Sequence, residues 1–303
     1  MNLISSDDLT KADIKKLFAI ASRLSSDRSD LSLRDNTTVA LLFTEPSTRT
    51  RVSFEVAVAQ LGGKAIYIDA KSSQLSRGEE ISDTAKILSM YCDFIAVRTN
   101  DHGMVVKMAE NSTVPVINAL TDLEHPTQAL ADIYTIWKAK GDLKGLKVAF
   151  IGDIAQNTCN SLMLSCVKLG AEFSLVGPKG WRPKSEYYNK AREYGRVYVS
   201  DSIEDGLDGA DVVYTDTFVS MGFEGEADER RKAFAPYQLN ADALSHAKKN
   251  AIVMHPLPAH RGEEITSEVL DGKQSAAWDQ AKNKLIMEKA LLLYLSELQE
   301  QNK

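Results

Sequence analysis

Short apolar runs recur along this chain, and the intervals between them carry helical spacing. Val39-Ala-Leu-Leu-Phe43 reads as a buried strand, and Ala65–Ile68, Phe94–Val97 and Val114–Ile117 repeat the theme. Helices are expected between them, around residues 51–61, 80–91 and 103–111. Such alternation calls for an open parallel sheet covered by helices, an α/β architecture. A long helix, Pro126 to Lys140, ends at Gly141, and the pattern then restarts with Lys147–Ile151. Glu172–Val176, Arg196–Val199, Val212–Thr215 and Ile252–Met254 continue it as further strands. With 303 residues there is chain enough for two such halves, each with its own core. A first domain over residues 1–135 and a second over 146–278 are therefore expected. The closing amphipathic helix, from Asp279 on, is expected to pack back on the first. Ser5-Ser-Asp-Asp8 is read as the cap of a first helix that places Leu9, Ile14, Leu17, Phe18, Ala21 and Leu24 on one face. Two halves of this kind form a cleft at the carboxyl ends of their strands, where ligands of open α/β sheets bind.

One strand-to-helix junction stands out. Phe43-Thr-Glu-Pro-Ser-Thr-Arg-Thr-Arg-Val-Ser-Phe-Glu55 leads from the first strand into a helix closed by Gly62-Gly63. At a helix start the first N–H groups have no partner in the helix, and the dipole favours an anion. Ser47, Thr48, Arg49, Thr50 and Arg51 add three hydroxyls and two guanidinium groups there. Arginine supplies the planar, bidentate donors that match a phosphate. The bland alternative is a Ser/Thr helix cap beside two solvated arginines. A Walker loop is excluded, because G-x-x-x-x-G-K-[ST] is absent.

Composition removes other classes. A net charge of −6, from 36 basic and 42 acidic residues, argues against a nucleic-acid binder and leaves room for a local basic pocket. Cys92, Cys159 and Cys166 are odd in number and form no C-x-x-C, against a disulfide framework or a zinc site and for a reducing cytoplasm. The amino terminus has no basic region followed by an apolar one, and no apolar run reaches the ~18 residues of a membrane span. The five histidines, His102, His125, His246, His255 and His260, are not paired at metal-ligand spacing. No G-x-S-x-G elbow occurs, and the single glycine of Ile151-Gly152-Asp153 falls short of a dinucleotide fingerprint. Neither a cofactor, a metal, a nucleic acid nor a membrane is expected as a partner.

Polar residues at strand ends remain. Arg98 follows Ile95-Ala-Val97, and His125-Pro126-Thr127-Gln128 opens a helix with proline near its first position. With Ser47–Thr50 these side chains suit a small anion carrying a carbonyl. Ser47-Thr48-Arg49-Thr50-Arg51 resembles the carbamoyl-phosphate signature of the aspartate and ornithine carbamoyltransferases, and the resemblance runs from about residue 3 to 295. It implies that Ser47, Thr48, Arg49 and Thr50 bind carbamoyl phosphate, with Arg98, His125 and Gln128 on its carbamoyl group. By the same resemblance Pro256, Leu257 and Lys284 belong to that site, and Arg49, Arg98 and His125 are its catalytic groups. Gln74, in the polar loop Ser72–Glu79, would reach a neighbouring subunit's site, which implies a homotrimer or a multiple of trimers.

The second half speaks to the acceptor. Where the aspartate enzymes place arginines for two carboxylates, this chain has Asn157 and Asp216. A carboxylate and a neutral amide suit an α-ammonium. Asp216-x-x-x-Ser220-Met221-Gly222 resembles the ornithine loop of the ornithine enzymes. That likeness implies Asp216 and Ser220 at the α-amino group, with Asn157 and the Met221 backbone at the α-carboxylate. Two departures from the family pattern follow. Ornithine enzymes usually carry His-Cys-Leu-Pro, whereas this chain has His255-Pro256-Leu257-Pro258, as the aspartate enzymes do. Proline offers no proton donor there. Lys282-Asn283-Lys284 stands where an arginine is usual, keeping the charge and giving up the planar fork. The expected reaction is carbamoyl transfer from carbamoyl phosphate to L-ornithine. Aspartate or putrescine as acceptor, and a binding protein that has kept the fold, stay open.

Overall fold

The computed structural model describes residues 1–26, 31–220 and 222–301. Its chain divides into two compact units, Met1–Leu130 with Lys284–Lys303, and Ala131–Asn283. In the first unit α1 (Lys11–Leu24) precedes β1 (Thr38–Phe43), α2 (Thr48–Gln60) and β2 (Lys64–Asp69). There follow α3 (Ile81–Tyr91), β3 (Phe94–Arg98), α4 (His102–Asn111), β4 (Val116–Leu120) and the start of α5 (Pro126–Lys140). The second unit holds β5 (Lys147–Ile151), α6 (Asn157–Lys168), β6 (Glu172–Val176), α7 (Ser185–Tyr194) and β7 (Val197–Ser200). It continues with α8 (Ile203–Leu207), β8 (Val212–Thr215), α9 (Ala227–Phe234), α10 (Ala241–Ser245), β9 (Ile252–Met254) and α11 (Ser267–Leu270). The closing helix α12 spans Ala277–Gln301, and the division between units falls inside it, as it does inside α5.

Both sheets are parallel throughout, as the alternation requires. The first has the order β2-β1-β3-β4 and the second β7-β6-β5-β8-β9. Central strands are buried along nearly their whole length because helices cover both faces: every residue from Val39 to Phe43 is buried. The edge strand β2 is only half covered, and its Ile66 is exposed. Ala40, Leu42, Ile95 and Val97 join Val105 and Met108 of α4 in one core, and Ala149, Ile151, Val213 and Val253 anchor the other. Replacing a fully buried ring such as Phe43 or Phe150 by alanine should cost about 3–5 kcal/mol. Of the three cysteines, Cys159 and Cys166 are sealed in α6 and Cys92 lies buried beneath the first sheet's helices, all as free thiols. No helix among the described residues is long and apolar enough to cross a membrane.

The first helix departs from expectation. Thr10 caps it, in a reciprocal box with Asp13: Thr10 Oγ1 accepts from the Asp13 N–H, and Asp13 Oδ2 accepts from the Thr10 N–H at 2.9 Å. Asp8 instead gathers the N–H groups of Ile4 and Ser5, and Leu9 lies before the helix rather than on its face. A run of four polar residues obscured which of them met the helix.

Candidate active site

In each sheet the chain order reverses between two neighbouring strands, β1 and β3 in one, β5 and β8 in the other. At such a switch point the loops leaving the carboxyl ends diverge and open a place for ligands. The singled-out side chains leave from those ends.

In the first unit Ser47 is the cap of α2: its Oγ accepts from the Thr50 N–H at 3.3 Å. Thr48 and Arg49 are exposed in the first turn, where the dipole and the free N–H groups favour an anion, and Thr50 turns inward, 2 % exposed. Arg98 closes β3, and the β3–β4 register slips between Val97 and Arg98, so that Arg98 pairs with Leu120. A slip of this kind re-aims a side chain at a strand end. Arg98 Nη1 donates to Thr50 Oγ1 at 3.5 Å, and its buried Nε has no hydrogen-bond partner. Lys284, on α12, reaches the same hydroxyl from the far end of the sequence. Its Nζ donates to Thr50 Oγ1 and to Gln128 Oε1, each at 3.1 Å. His125 is buried at the mouth of α5, its Nδ1 at 3.3 Å from Thr127 Oγ1. Thr50, Arg98, Gln128 and Lys284 are thus one connected cluster.

Burial governs its electrostatics. Burial, then repulsion from Arg49, pulls the Arg98 guanidinium down to about 10, against a smaller pull from Glu45. It stays charged at neutral pH. Burial, then Lys284 and Arg98, holds His125 well below its ordinary value, so the imidazole is neutral and offers a single N–H. Glu288 stands one helical turn beyond Lys284, and burial pushes its carboxyl up to about 8 despite Lys284. It accepts from Ser53 Oγ at 2.9 Å and is largely protonated at neutral pH.

Two sequence-singled residues are elsewhere. Arg51, expected in the cradle, points away: its Nε donates to Glu55 Oε1 at 2.8 Å and its guanidinium lies 3.6 Å over the Tyr67 ring. Successive residues on a helix face different directions, and Arg51 falls on the side of Glu55, four residues on. Gln74 is exposed in a short 3₁₀ turn, Gln74–Arg77, and its side chain makes no hydrogen bond among the described residues.

The second unit gathers its polar groups at the ends of β5, β8 and β9. Thr215 Oγ1 donates across the switch point to Ile151 O at 2.8 Å. Gly152 then turns at φ +117, a conformation costly for any side chain, and a Cβ on Gly177 would stand 2.7 Å from its carbonyl oxygen. Asn157 opens α6, with Oδ1 accepting from the Thr158 N–H at 2.7 Å. Asp216 follows β8, half-buried, and accepts from the Thr217 N–H at 2.7 Å. Burial raises its carboxyl above the usual aspartate value, while His255, the Thr217 N–H and the Thr158 hydroxyl work against that rise. Ser220 donates to Gln156 Oε1 at 2.6 Å, and the buried Gln156 Nε2 has no partner. Met221 lies outside the described residues. Asp153 pairs with Arg230 at 2.7 Å, both side chains buried, and Arg230 lies 3.8 Å over Phe223.

After β9 the chain is held by a buried network. The His255 N–H donates to Gln280 Oε1 at 2.9 Å, Gln280 Nε2 donates to Asp132 Oδ1 at 2.7 Å, and Tyr214 Oη donates to Asp132 Oδ2 at 3.0 Å. His255 Nδ1 accepts from the Leu257 N–H at 2.9 Å, so its proton sits on Nε2 and is donated to Glu264 Oε1 at 3.1 Å. This grip sustains Leu257 at φ +57, a left-handed conformation that costs a residue with a Cβ about 1–2 kcal/mol. Pro256 and Leu257 are half-buried in this second unit.

Sequence reading missed Glu288, Gln156, Thr158 and the network of Asp132, Tyr214 and Gln280. Glu288 had one signal, its i,i+4 spacing from Lys284; the others meet partners far away in the chain, as Tyr214 does Asp132 across 82 residues.

Known proteins share this arrangement. A family model described as the carbamoyl-P binding domain of aspartate/ornithine carbamoyltransferase matches residues 1–138, and one described as the Asp/Orn binding domain matches 144–295. The chain is 46% identical over 296 residues to an ornithine carbamoyltransferase of Bacillus subtilis, covering 96% of this chain and 92% of that one. An anabolic ornithine carbamoyltransferase of Pyrococcus furiosus is 49% identical over 265 residues, covering 86% and 84%. Among solved structures, the ornithine carbamoyltransferase of Pyrococcus furiosus superposes with a TM-score of 0.90 at 45% identity, over 96% of this chain and 95% of that one. The anabolic enzyme of Campylobacter jejuni gives 0.91 at 37% identity, over 98% and 99%.

Proposed function

Because this chain belongs to the aspartate/ornithine carbamoyltransferase family, we propose that it transfers the carbamoyl group of carbamoyl phosphate to the side-chain amine of L-ornithine, giving L-citrulline and phosphate. The observation that carries the reading is the cluster of Arg98, Lys284 and neutral His125 about Thr50, in which the buried Arg98 Nε has no hydrogen-bond partner. In this reading the first unit binds the donor through Ser47, Thr48, Arg49, Thr50 and Lys284, with Arg98, His125 and Gln128 on its carbamoyl group. Pro256 and Leu257 add contacts to it. The second unit takes the amino acid: Asp216 and Ser220 bind its α-ammonium, Asn157 and the Met221 backbone its α-carboxylate.

The chemistry asks little covalent work of the protein. Ornithine's side-chain amine, of pKa ~10 when free, must attack as the neutral amine. Attack on the carbamoyl carbon creates an oxyanion, which Arg98, the N–H of neutral His125 and the Thr50 hydroxyl stabilise. Arg49 and the start of α2 stabilise the departing phosphate. Pro256 supplies no proton, so phosphate itself takes the one the amine loses. The enzyme uses no cofactor, works in the cytoplasm, and makes citrulline in the biosynthetic direction towards arginine. Gln74 supports a homotrimer in which each subunit lends this loop to a neighbour: it is exposed and its side chain makes no hydrogen bond among the described residues. Mixing two separately inactive variants, one in Arg49 and one in Gln74, should restore part of the activity; no recovery would remove the shared site.

The deciding assay is phosphate release from carbamoyl phosphate with ornithine, putrescine or aspartate in parallel. Release with ornithine alone, with citrulline formed, is expected. Release with aspartate alone would overturn the reading of Asp216 and Ser220, and silence with all three would retire the proposed reaction.

A further inference from the structure

Beyond β9, His260, Glu263 and Glu264 bring one ring nitrogen and two carboxylate oxygens together within 4.8 Å of one another. His260 Nδ1 lies 3.8 Å from Glu263 Oε2 and 3.9 Å from Glu264 Oε2. Each carboxylate has its other oxygen committed. Glu263 Oε1 accepts from Arg231 Nε at 2.7 Å, and Glu264 Oε1 accepts from His255 Nε2 and from the His260 N–H. The two Oε2 atoms are a different matter. Both are buried at the atom level and accept no hydrogen bond, and the Glu264 side chain is 0% exposed. A carboxylate oxygen taken from water without a donor is costly, and two of them facing one imidazole nitrogen are costlier still. The His260 side chain is half exposed, so a route from solvent exists and its ring is free to adjust.

We propose that His260, Glu263 and Glu264 bind a divalent first-row transition-metal ion of the zinc class, with water completing its coordination. One imidazole and two carboxylates are a three-protein-ligand set of the kind that leaves a further position open. Zinc with bonds of ~2.0–2.2 Å spans ligand pairs ~3.2–3.7 Å apart, so the observed gaps close by modest movement, mainly of the exposed ring. The imidazole nitrogen disfavours calcium or magnesium, which take oxygen. Glu264 also receives the His255 proton and His255 holds Leu257, so the bound ion would clamp the turn that follows β9 through one intermediate side chain. The histidine pattern alone hid this site, because it needs one histidine and two acids at i, i+3 and i+4.

The test is calorimetric titration of zinc chloride into the full-length protein after removal of metal with a chelator. Uptake of about one ion per chain is expected, with a rise in melting temperature that a chelator reverses. His260→Ala and Glu263→Gln should each weaken binding by about 10–100-fold, and His260→Ala should erase the zinc-dependent rise while leaving the metal-free melting temperature unchanged. His246→Ala, at another histidine, should bind as the parent does. Failure of the parent protein to take up zinc, or equal uptake by His260→Ala, would overturn the assignment. Glu264→Gln is a weaker probe, because the same carboxylate also accepts from His255 Nε2 and the His260 N–H.

Discussion

The side chains gathered about Thr50 in the first unit include the cations Arg98 and Lys284, whereas those at the ends of β5 and β8 in the second include the carboxylates Asp153 and Asp216. The two sheets share a parallel build and a reversal of strand order at the same place relative to the chain. Topology therefore opens a comparable place at the strand ends of each, and a handful of side chains settles its charge. The units also differ in how they meet the cost of burial. Asp153 and Arg230 neutralise one another at 2.7 Å, whereas Arg98 keeps its charge with an unpartnered Nε and Glu288 surrenders its own by staying protonated. The first unit keeps a buried guanidinium charged, while the second sets its buried guanidinium against a carboxylate.

The sharpest way to break that contrast is to take a cation from the first unit. Arg98→Met should cut citrulline formation by about 10²–10³-fold, with Arg49→Ala acting in the same direction, while ornithine's own dissociation constant stays put. Near-normal turnover in either variant would remove the positive cluster from the reaction. Next in size, Asp216→Asn should raise the KM for ornithine by about 10–100-fold, the worth of a charged hydrogen bond, and leave carbamoyl phosphate binding unchanged. Burial raises the Asp216 carboxyl, so ornithine affinity should fall on acidification earlier than an exposed aspartate would allow, and bound ornithine should pull that carboxyl back down. A flat pH profile of KM would refute that role.

Glu288 tests the other side of the contrast through stability. Its folded value of about 8 lies above the usual 4.5, so the folded state favours the proton. The stabilisation is complete below the ordinary value and is lost as pH rises through about 8. Glu288→Gln should flatten the fall in melting temperature across that window, and an unchanged slope would place the titration elsewhere. The smallest effect is expected from Lys284→Arg, a change of about threefold or less in the KM for carbamoyl phosphate if charge governs. A much larger gain would show that the planar fork matters at this position.

How far these features were legible in the sequence follows from the reach of each interaction. Parallel sheets could be read because every strand and helix carries its own local period. Thr10 was misread because four polar residues before it compete for the cap, and spacing does not rank them. Ser47 showed its helix-start role plainly, but the direction of Arg51, away from the cluster and onto Tyr67, depends on a neighbouring strand that no local pattern mentions. Lys284 and Thr50 meet across 234 residues, and only the resemblance to a family linked them before the fold did. The buried exchange among Asp132, Tyr214 and Gln280 had no such guide, because its members look like ordinary helix and strand residues until they meet.

The cysteines carry a consequence for chemical durability. Burial pushes the Cys159 and Cys166 thiols well above their ordinary range and raises that of Cys92, so thiolate is scarce at all three. Pro256 stands where the resemblance to the ornithine enzymes leads one to expect a cysteine. Alkylating reagents and peroxide, which attack thiolate, meet little of it at Cys92, Cys159 or Cys166. Catalysis by this chain should outlast oxidising conditions that silence a cysteine-bearing relative.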